Sequence, residues 1–382
     1  MKLTVSQMYF AFVIANVFCK GIGLNSSSVI YKIIMVVGLI GILIGISTRK
    51  YSRKESFISA VMLSSGIMTL LITKQYTFLI TCIAAIGIKK TDVDRLMKNV
   101  CSIRTICFGL IFSLALLNII DRDKVEIWRN TGYVSRYGMG YGHPNILHLT
   151  LFIVLTLNYY LNVEKKNDLK KFWIIALALN IFVYRYSASR TGFIVISIFE
   201  LLILVQKIGI ARKSLTKLPI AVFCTLMFFT YLTPALKNLG VVDITTLFNG
   251  RASYTYLYLT RYGYSLFGFN NLLSETGLLL DNGYLRLLIE TGVVGLLIWI
   301  YLNVNLMRKI IENSDYKMAI IVTCFYIYIF TESFSSNIFM NYILFWGADE
   351  IFNKSKGVSI NGDRFHADIQ QKNTSSGIEE KS

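Results

Sequence analysis

Apolar runs about as long as a bilayer is thick recur along almost the whole chain, and no other feature restricts its fold so severely. A helix needs about 20 residues to cross the hydrocarbon core of a membrane. Runs of that kind stand near residues 5–24, 29–46, 56–73, 76–88, 101–120, 143–161, 172–186, 191–206, 218–234, 283–305, 317–333 and 336–352. Backbone groups in lipid must be satisfied within the protein, so only helices and closed barrels span, and these runs lack the alternation of barrel strands. The predicted fold class is an all-α polytopic integral membrane protein of about twelve transmembrane helices, with a large external loop before the last three spans. The short run at 76–88 leaves the count open by one or two. With 54% hydrophobic residues and three prolines among 382 residues, the chain has more apolar surface than a soluble domain of this size can bury. The first run is followed by no small-residue cleavage pattern and is read as a retained span.

The net charge of +17 raises the prospect of nucleic acid, but its distribution points elsewhere. Lys and Arg collect in "STRKYSRKE" (47–55), "KKTDVDRLMK" (89–98), "EKKNDLKK" (164–171), "KIGIARKSLTK" (207–217) and "MRKIIENSDYK" (307–317), alternating with loops much poorer in Lys. By the positive-inside rule the basic loops are cytoplasmic, which places both termini in the cytoplasm and predicts a multi-pass membrane protein with an even number of spans. The basic loops then orient the chain and need no nucleic-acid partner.

Residues 1–352 read as one membrane domain with external loops at 121–142 and 235–282, followed by a flexible cytoplasmic tail at 353–382 that includes His366. The second loop, with "LFNGRASYTYLYLTRYGYSLFGFN", is too aromatic for a linker and predicts short helices at the membrane surface. No internal repeat stands out, which weighs against a transporter built from inverted halves. The six cysteines lie in or beside apolar segments without ligand spacing and read as small buried hydrophobes.

On the external side the cations are mostly arginines: Arg136, Arg185, Arg190, Arg251, Arg261 and Arg286. Arginine suits bidentate capture of phosphate oxygens, so a phosphate-bearing ligand is expected there, although a single Arg at a span end can also snorkel to the interface. In "YSASRTGFIV" (186–195), Arg190 opens a span beside Ser187, Ser189 and Thr191. That pattern is either a capped helix start or an anion site. In "LDNGYLRLLIETGVVGLL" (280–297), Arg286 and Glu290 are four apart and form an ion pair or face a ligand, while Asp281 and Asn282 stand outside that pair. Glu332, near the outer end of a late span, is a further candidate, either for a ligand or as a buried partner of an arginine. The stretch "YGMGYGHPNILHLT" (137–150) places three glycines, His143, Pro144 and Asn145 before a span, either as a plain turn or as a turn that aims His143 and Asn145 into an external cavity. His148, five residues further, does not share a face with His143. No Gly-rich phosphate loop, paired-His zinc helix or carboxylate cluster for a divalent cation occurs, so no metal and no cofactor is expected.

Taken in order, "GHPN" (142–145), "SASRTG" (187–192), "NGR" (249–251) and "LDNGYLRLLIETGVVGLL" (280–297) resemble the Wzy-type polysaccharide polymerases of the O-antigen ligase and polymerase superfamily, and the resemblance covers most of the chain. It implies an enzyme that joins undecaprenyl-diphosphate-linked oligosaccharide repeat units at the outer face of the cytoplasmic membrane. Donor and acceptor are both lipid-linked, no nucleotide takes part, and a flippase and a chain-length regulator of the same pathway are implied partners. A hydroxyl attacks the anomeric carbon and lipid diphosphate leaves. Arg136, Arg190, Arg251 and Arg286, with Asn145 and Asn282, are then substrate-binding, and Asp281, His143 or Glu290 is the base. Ligases of the superfamily commonly carry a His where this chain has Asp281, which moves the expectation towards polymerase. A ligase-like glycan transferase, a lipid-linked oligosaccharide flippase or exporter, and a non-catalytic assembly partner are the alternatives.

Overall fold

The computed structural model describes residues 4–24, 28–129, 132–163, 166–206, 211–238, 251–270 and 280–353. Among them the chain is mostly helical. In order stand α1 (Val5–Gly21), α2 (Val29–Thr48), α3 (Arg53–Thr73), α4 (Thr77–Ile86), α5 (Val93–Leu116), β1 (Lys124–Arg129), β2 (Gly132–Tyr137), α6 (Pro144–Asn162), α7 (Lys166–Ser187) and α8 (Arg190–Val205). They are followed by α9 (Ala211–Leu215), α10 (Leu218–Asn238), α11 (Arg251–Tyr262), α12 (Gly283–Glu312), α13 (Tyr316–Thr331) and α14 (Ile343–Phe352). Among the described residues, six helical stretches are long and apolar enough to cross a membrane: α2, α3, α5, α6, α12 and Arg212–Leu232, which runs from α9 into α10.

Short polar side chains start several of these helices. Thr4 and Ser52 form capping boxes with Gln7 and Glu55, Asp92 accepts from the Arg95 amide, and Asp315 accepts from the Met318 amide. Each satisfies amide donors that the helix itself leaves orphaned. Neighbours in sequence pack together: α1 on α2 and α5, α3 on α4, α5 on α6, α6 on α7, and α7 on α8. The last helices close the bundle, with α13 against α8 and α10, and α12 against α3 and α14. α13 and α14 are buried along most of their length, whereas α2 leaves Val29, Ile30, Ile33, Val36, Val37 and Ile40 open. An apolar row of that size is untenable against water and natural against lipid tails.

Three expectations change. The all-α expectation fails at segment 121–142: β1 and β2 pair antiparallel, Lys124 opposite Tyr137 and Arg129 opposite Gly132, so the described chain is not purely helical. The run at 336–352 is not one helix. Residues 332–342 form turns that enter the core, and only α14 is helical, because side chains take over the backbone bonds there. Thr81 Oγ1 donates to the Ser336 carbonyl at 2.6 Å and accepts from the Ile338 amide, and Asn341 Nδ2 donates to the Ser335 carbonyl at 3.0 Å. Cys224 is exposed while the other five cysteines are buried. The late loop does contain a short helix, α11; 239–250, 271–279 and the tail from 354 onwards lie outside the described residues.

Alternation of the helices gathers the ends of α1, α3, α5, α7 and α13 with the starts of α4, α6, α8 and α12 at one end of the molecule. The opposite end, where the basic segments at 47–55 and 89–98 lie, is closed by ion pairs. Lys89 meets Glu55, and Lys309 meets Glu350 at 2.6 Å and Asp349 at 3.6 Å.

Candidate functional site

The first-named end holds a cavity of about 490 Å³. Its polar walls come from segments far apart in sequence: Lys20 on α1, His143 and Asn145 at the start of α6, Asp281, Arg286 and Glu290 at the start of α12, and Glu332 just past α13.

The loop before α6 is shaped by left-handed backbone. Gly140 and Gly142 have φ of 85° and 72°, a region in which a side chain is strained. Asp123 holds the turn, its Oδ2 accepting from the Gly142 amide at 2.8 Å, and Tyr141 donates to the Gly21 carbonyl at 3.1 Å, tying the loop to the end of α1. His143 then caps α6 through its side chain: Nδ1 accepts from the Asn145 amide at 3.2 Å. With Nδ1 acting as acceptor, the proton of the neutral ring resides on Nε2. Desolvation at the cavity wall and the nearby Arg136 charge lower the affinity of His143 for a proton, while Asp281 opposes them. The neutral imidazole thus offers a donor to the cavity, and its lone pair is spent on the cap.

Asn145 is the junction of the site. Its Oδ1 accepts from Arg136 at 2.6 Å and from Ser189 at 3.1 Å, and its Nδ2 donates to Glu332 Oε1 at 2.7 Å. Arg136 of β2 also donates to the Ser187 carbonyl at 2.8 Å, so the hairpin is fastened to α6 and to the α7–α8 turn. Beneath this layer His148 is buried, with Ser187 Oγ at 2.7 Å from Nδ1 and Asn180 Oδ1 at 3.1 Å from Nε2.

On the facing wall Arg286 and Glu290 pair at 2.5 Å across one helical turn, and Arg286 donates to Ser333 at 2.7 Å. Asn282 caps α12, accepting from the Tyr284 and Leu285 amides, and donates to Thr230 at 3.2 Å. Gly283 sits where a Cβ would come within 2.6 Å of the Ile329 carbonyl oxygen, so α12 begins in direct contact with the end of α13.

Of the residues singled out in the sequence, His143, Asn145, Asp281, Arg286, Glu290 and Glu332 line one cavity. Arg136 and Asn282 stand behind it as supports. Arg190 begins α8 with its side chain exposed and is not on the cavity wall, and no side-chain cap bond forms at Ser189. Arg185 is exposed, Arg261 lies over the Tyr262 ring at 5.6 Å, and Arg251 begins α11 with a side chain outside the described residues. Sequence reading passed over Lys20, Gln75 and Asn337. Lys20 carries a signal in the sequence, a cation inside the first apolar run, which loop charge alone does not single out. No family model, curated protein or solved structure matches this chain.

Proposed function

We propose that this chain is a Wzy-type polysaccharide polymerase, a multi-pass protein of about twelve spans in the bacterial cytoplasmic membrane, with its termini in the cytoplasm and its cavity on the outer face. The observation that carries this reading is the meeting of Asp281, Glu332, Arg286 and His143 around one space at one end of the helices. The volume falls in the range of about 300–1,000 Å³ that accepts small ligands.

The donor is a glycan on undecaprenyl diphosphate and the acceptor a sugar hydroxyl of a second lipid-linked unit. Asp281 is assigned as the base on its place in the cavity wall, beside Arg286 and His143. Asp281 takes the hydroxyl proton as the oxygen bonds to the anomeric carbon. The bond from that carbon to the diphosphate oxygen breaks, and its electron pair leaves with the diphosphate. Arg286 balances charge on that oxygen. His143 Nε2–H and Glu332, steadied by Asn145, hold sugar hydroxyls.

The test is glycan chain length on cells carrying Asp281→Asn or Arg286→Gln, with membrane expression verified. Loss of long polymer with single repeat units still reaching the surface is expected. Normal chain length in both overturns the assignment, and loss of all surface glycan points to export instead.

A further inference from the structure

α8 carries a carboxyl group that the cavity does not use. Glu200 is 3% exposed, and its Oε1 has no hydrogen-bond partner. Among the described residues no charged side chain acts on it, and the one polar side chain that does is Asn180 of α7. Asn180 Nδ2 already donates to the Phe193 carbonyl and to Ser197 Oγ, at 3.3 Å each. The Trp173 indole donates at 3.1 Å to the backbone carbonyl of Glu200 and leaves the carboxyl group unserved. An anion in such a place is costly, and an ionisable residue inside an apolar helix bundle is retained where it serves a function.

The helices packed most closely on α8 are α6, α7 and α13. α6 brings His148 and Tyr159, whose hydroxyl donates to Gln206 at 2.5 Å. α7 brings Asn180 and Tyr184, while its charged residues stand in its first two turns and at Arg185. α13 holds one charged residue, Lys317, which donates to the Val163 carbonyl; its other titratable groups are Cys324 and tyrosines. None of these supplies Glu200 with a counter-ion. Oε1 is also closed off from any space that would hold a cation or a water. A proton needs no such space.

The same helix reaches the cavity. Ser189, at the head of α8, donates to Asn145 Oδ1 at 3.1 Å, and its amide donates to Ser187 Oγ at 3.2 Å. Gly192 lies against α6, where a Cβ would come within 2.5 Å of the His148 Cβ. His148 meets Ser187 with Nδ1 and Asn180 with Nε2, so the amide beside Glu200 and the serine beneath Asn145 are held by one imidazole. From Arg190 to Glu200 is about 15 Å of helix. Close packing along that length passes a displacement at Glu200 on to the head of α8.

We propose that Glu200 is a proton-binding site inside the helix bundle, neutral while α8 is seated against His148, and that loss of its proton shifts α8 and with it the Ser189–Asn145 corner of the cavity. On release the proton passes to solvent, and the carboxylate left behind draws in water that the seated helix excludes. The cavity wall is thereby set by a protonation event outside the cavity. The inference does not rest on the polymerase reading.

The test uses the full chain in nanodiscs in a Cys224→Ser background, in which the remaining cysteines are buried. At neutral pH the infrared spectrum of wild type is expected to contain the carbonyl stretch of a carboxylic acid that Glu200→Gln lacks. Ile146→Cys, exposed on the cavity wall, reports the coupling. On alkaline titration its rate of reaction with a maleimide, divided by the rate of the same thiol in Glu200→Gln, is expected to rise about fivefold or more, as coupled sites do. The division removes the ionisation of the thiol itself. Glu200→Met is the reference if Glu200→Gln fails to fold. Absence of the acid band, or failure of both variants to fold, means an ionised and paired Glu200 and overturns the proposal. A rate ratio that stays level throughout the titration overturns the switch. Neither readout involves glycan, so both outcomes are separate from the fate of the polymerase reading.

Discussion

At the scale of single residues, Asn145 ties three separate segments of the site together. One amide side chain joins Arg136, Ser189 and Glu332, so both its oxygen and its nitrogen are used. Asn145→Ala leaves a guanidinium and a carboxylate short of partners and is expected to lower stability by about 1–3 kcal/mol, read as thermal unfolding of the purified protein, and to abolish long polymer. Asn145→Asp places a second carboxylate beside Glu332 and is expected to fail similarly in polymer formation while still meeting Arg136. His143 makes a prediction in pH. Its folded proton affinity is depressed from the ordinary 6.5, so the unfolded chain takes the proton first on acidification. The contribution of His143 to stability is full above pH 6.5 and is lost as pH falls through the depressed folded value. Thermal unfolding followed from pH 8 to pH 5 is expected to show that loss in wild type. It should be flatter in His143→Asn, which keeps a capping side chain but cannot titrate. These residues were visible in the sequence because a polar group at the edge of an apolar run is conspicuous. Their bonds were not, since Asn145 and Glu332 are 187 residues apart.

Elements show the same division. α12 has the length and apolarity expected of a span, yet it breaks at Gly292, whose φ is 72° and ψ −176°. The segment following α11 supplies the bonds that the break releases. Val293 donates to the Ser265 carbonyl at 2.9 Å, Val294 to that of Leu266 at 3.2 Å, and Phe269 to that of Ile289 at 2.9 Å. A Cβ at Gly292 would stand 2.3 Å from the Leu266 carbonyl group, so both the backbone conformation and the space demand glycine. Gly292→Ala is therefore expected to cost at least about 2 kcal/mol and to displace the half-helix carrying Arg286 and Glu290. The check is a lowered unfolding temperature together with shortened glycan. Nothing in "ETGVVGLL" distinguishes this glycine from one tolerated inside a straight helix, because the strap that needs the room lies more than twenty residues earlier. The hairpin at 124–137 was hidden for a related reason: its strands are short, polar and outside any apolar run, and β2 is held by the reach of Arg136 to Ser187.

For the whole molecule, the proposed orientation rests on loop charge and is open to direct test. In a Cys224→Ser background the remaining cysteines are buried. Tyr133→Cys on the exposed hairpin is expected to react with a membrane-impermeant maleimide on intact cells. Lys54→Cys at the opposite end is expected to react only after the membrane is opened. Reaction of both, or of Lys54→Cys alone, removes the outward-facing cavity and with it the proposed reaction. The sequence by itself determined that the chain is built of long apolar helices and where most of them begin. It also determined which ends collect Lys and Arg, because span length, capping and loop charge are local properties read within about twenty residues. Tertiary structure alone decided that residues 332–342 turn back into the core and that α12 breaks. It also decided that Arg190 stays outside a cavity that Lys20 lines. Those outcomes depend on which helices pack side by side, and uniformly apolar surfaces carry little that specifies a partner from one segment alone.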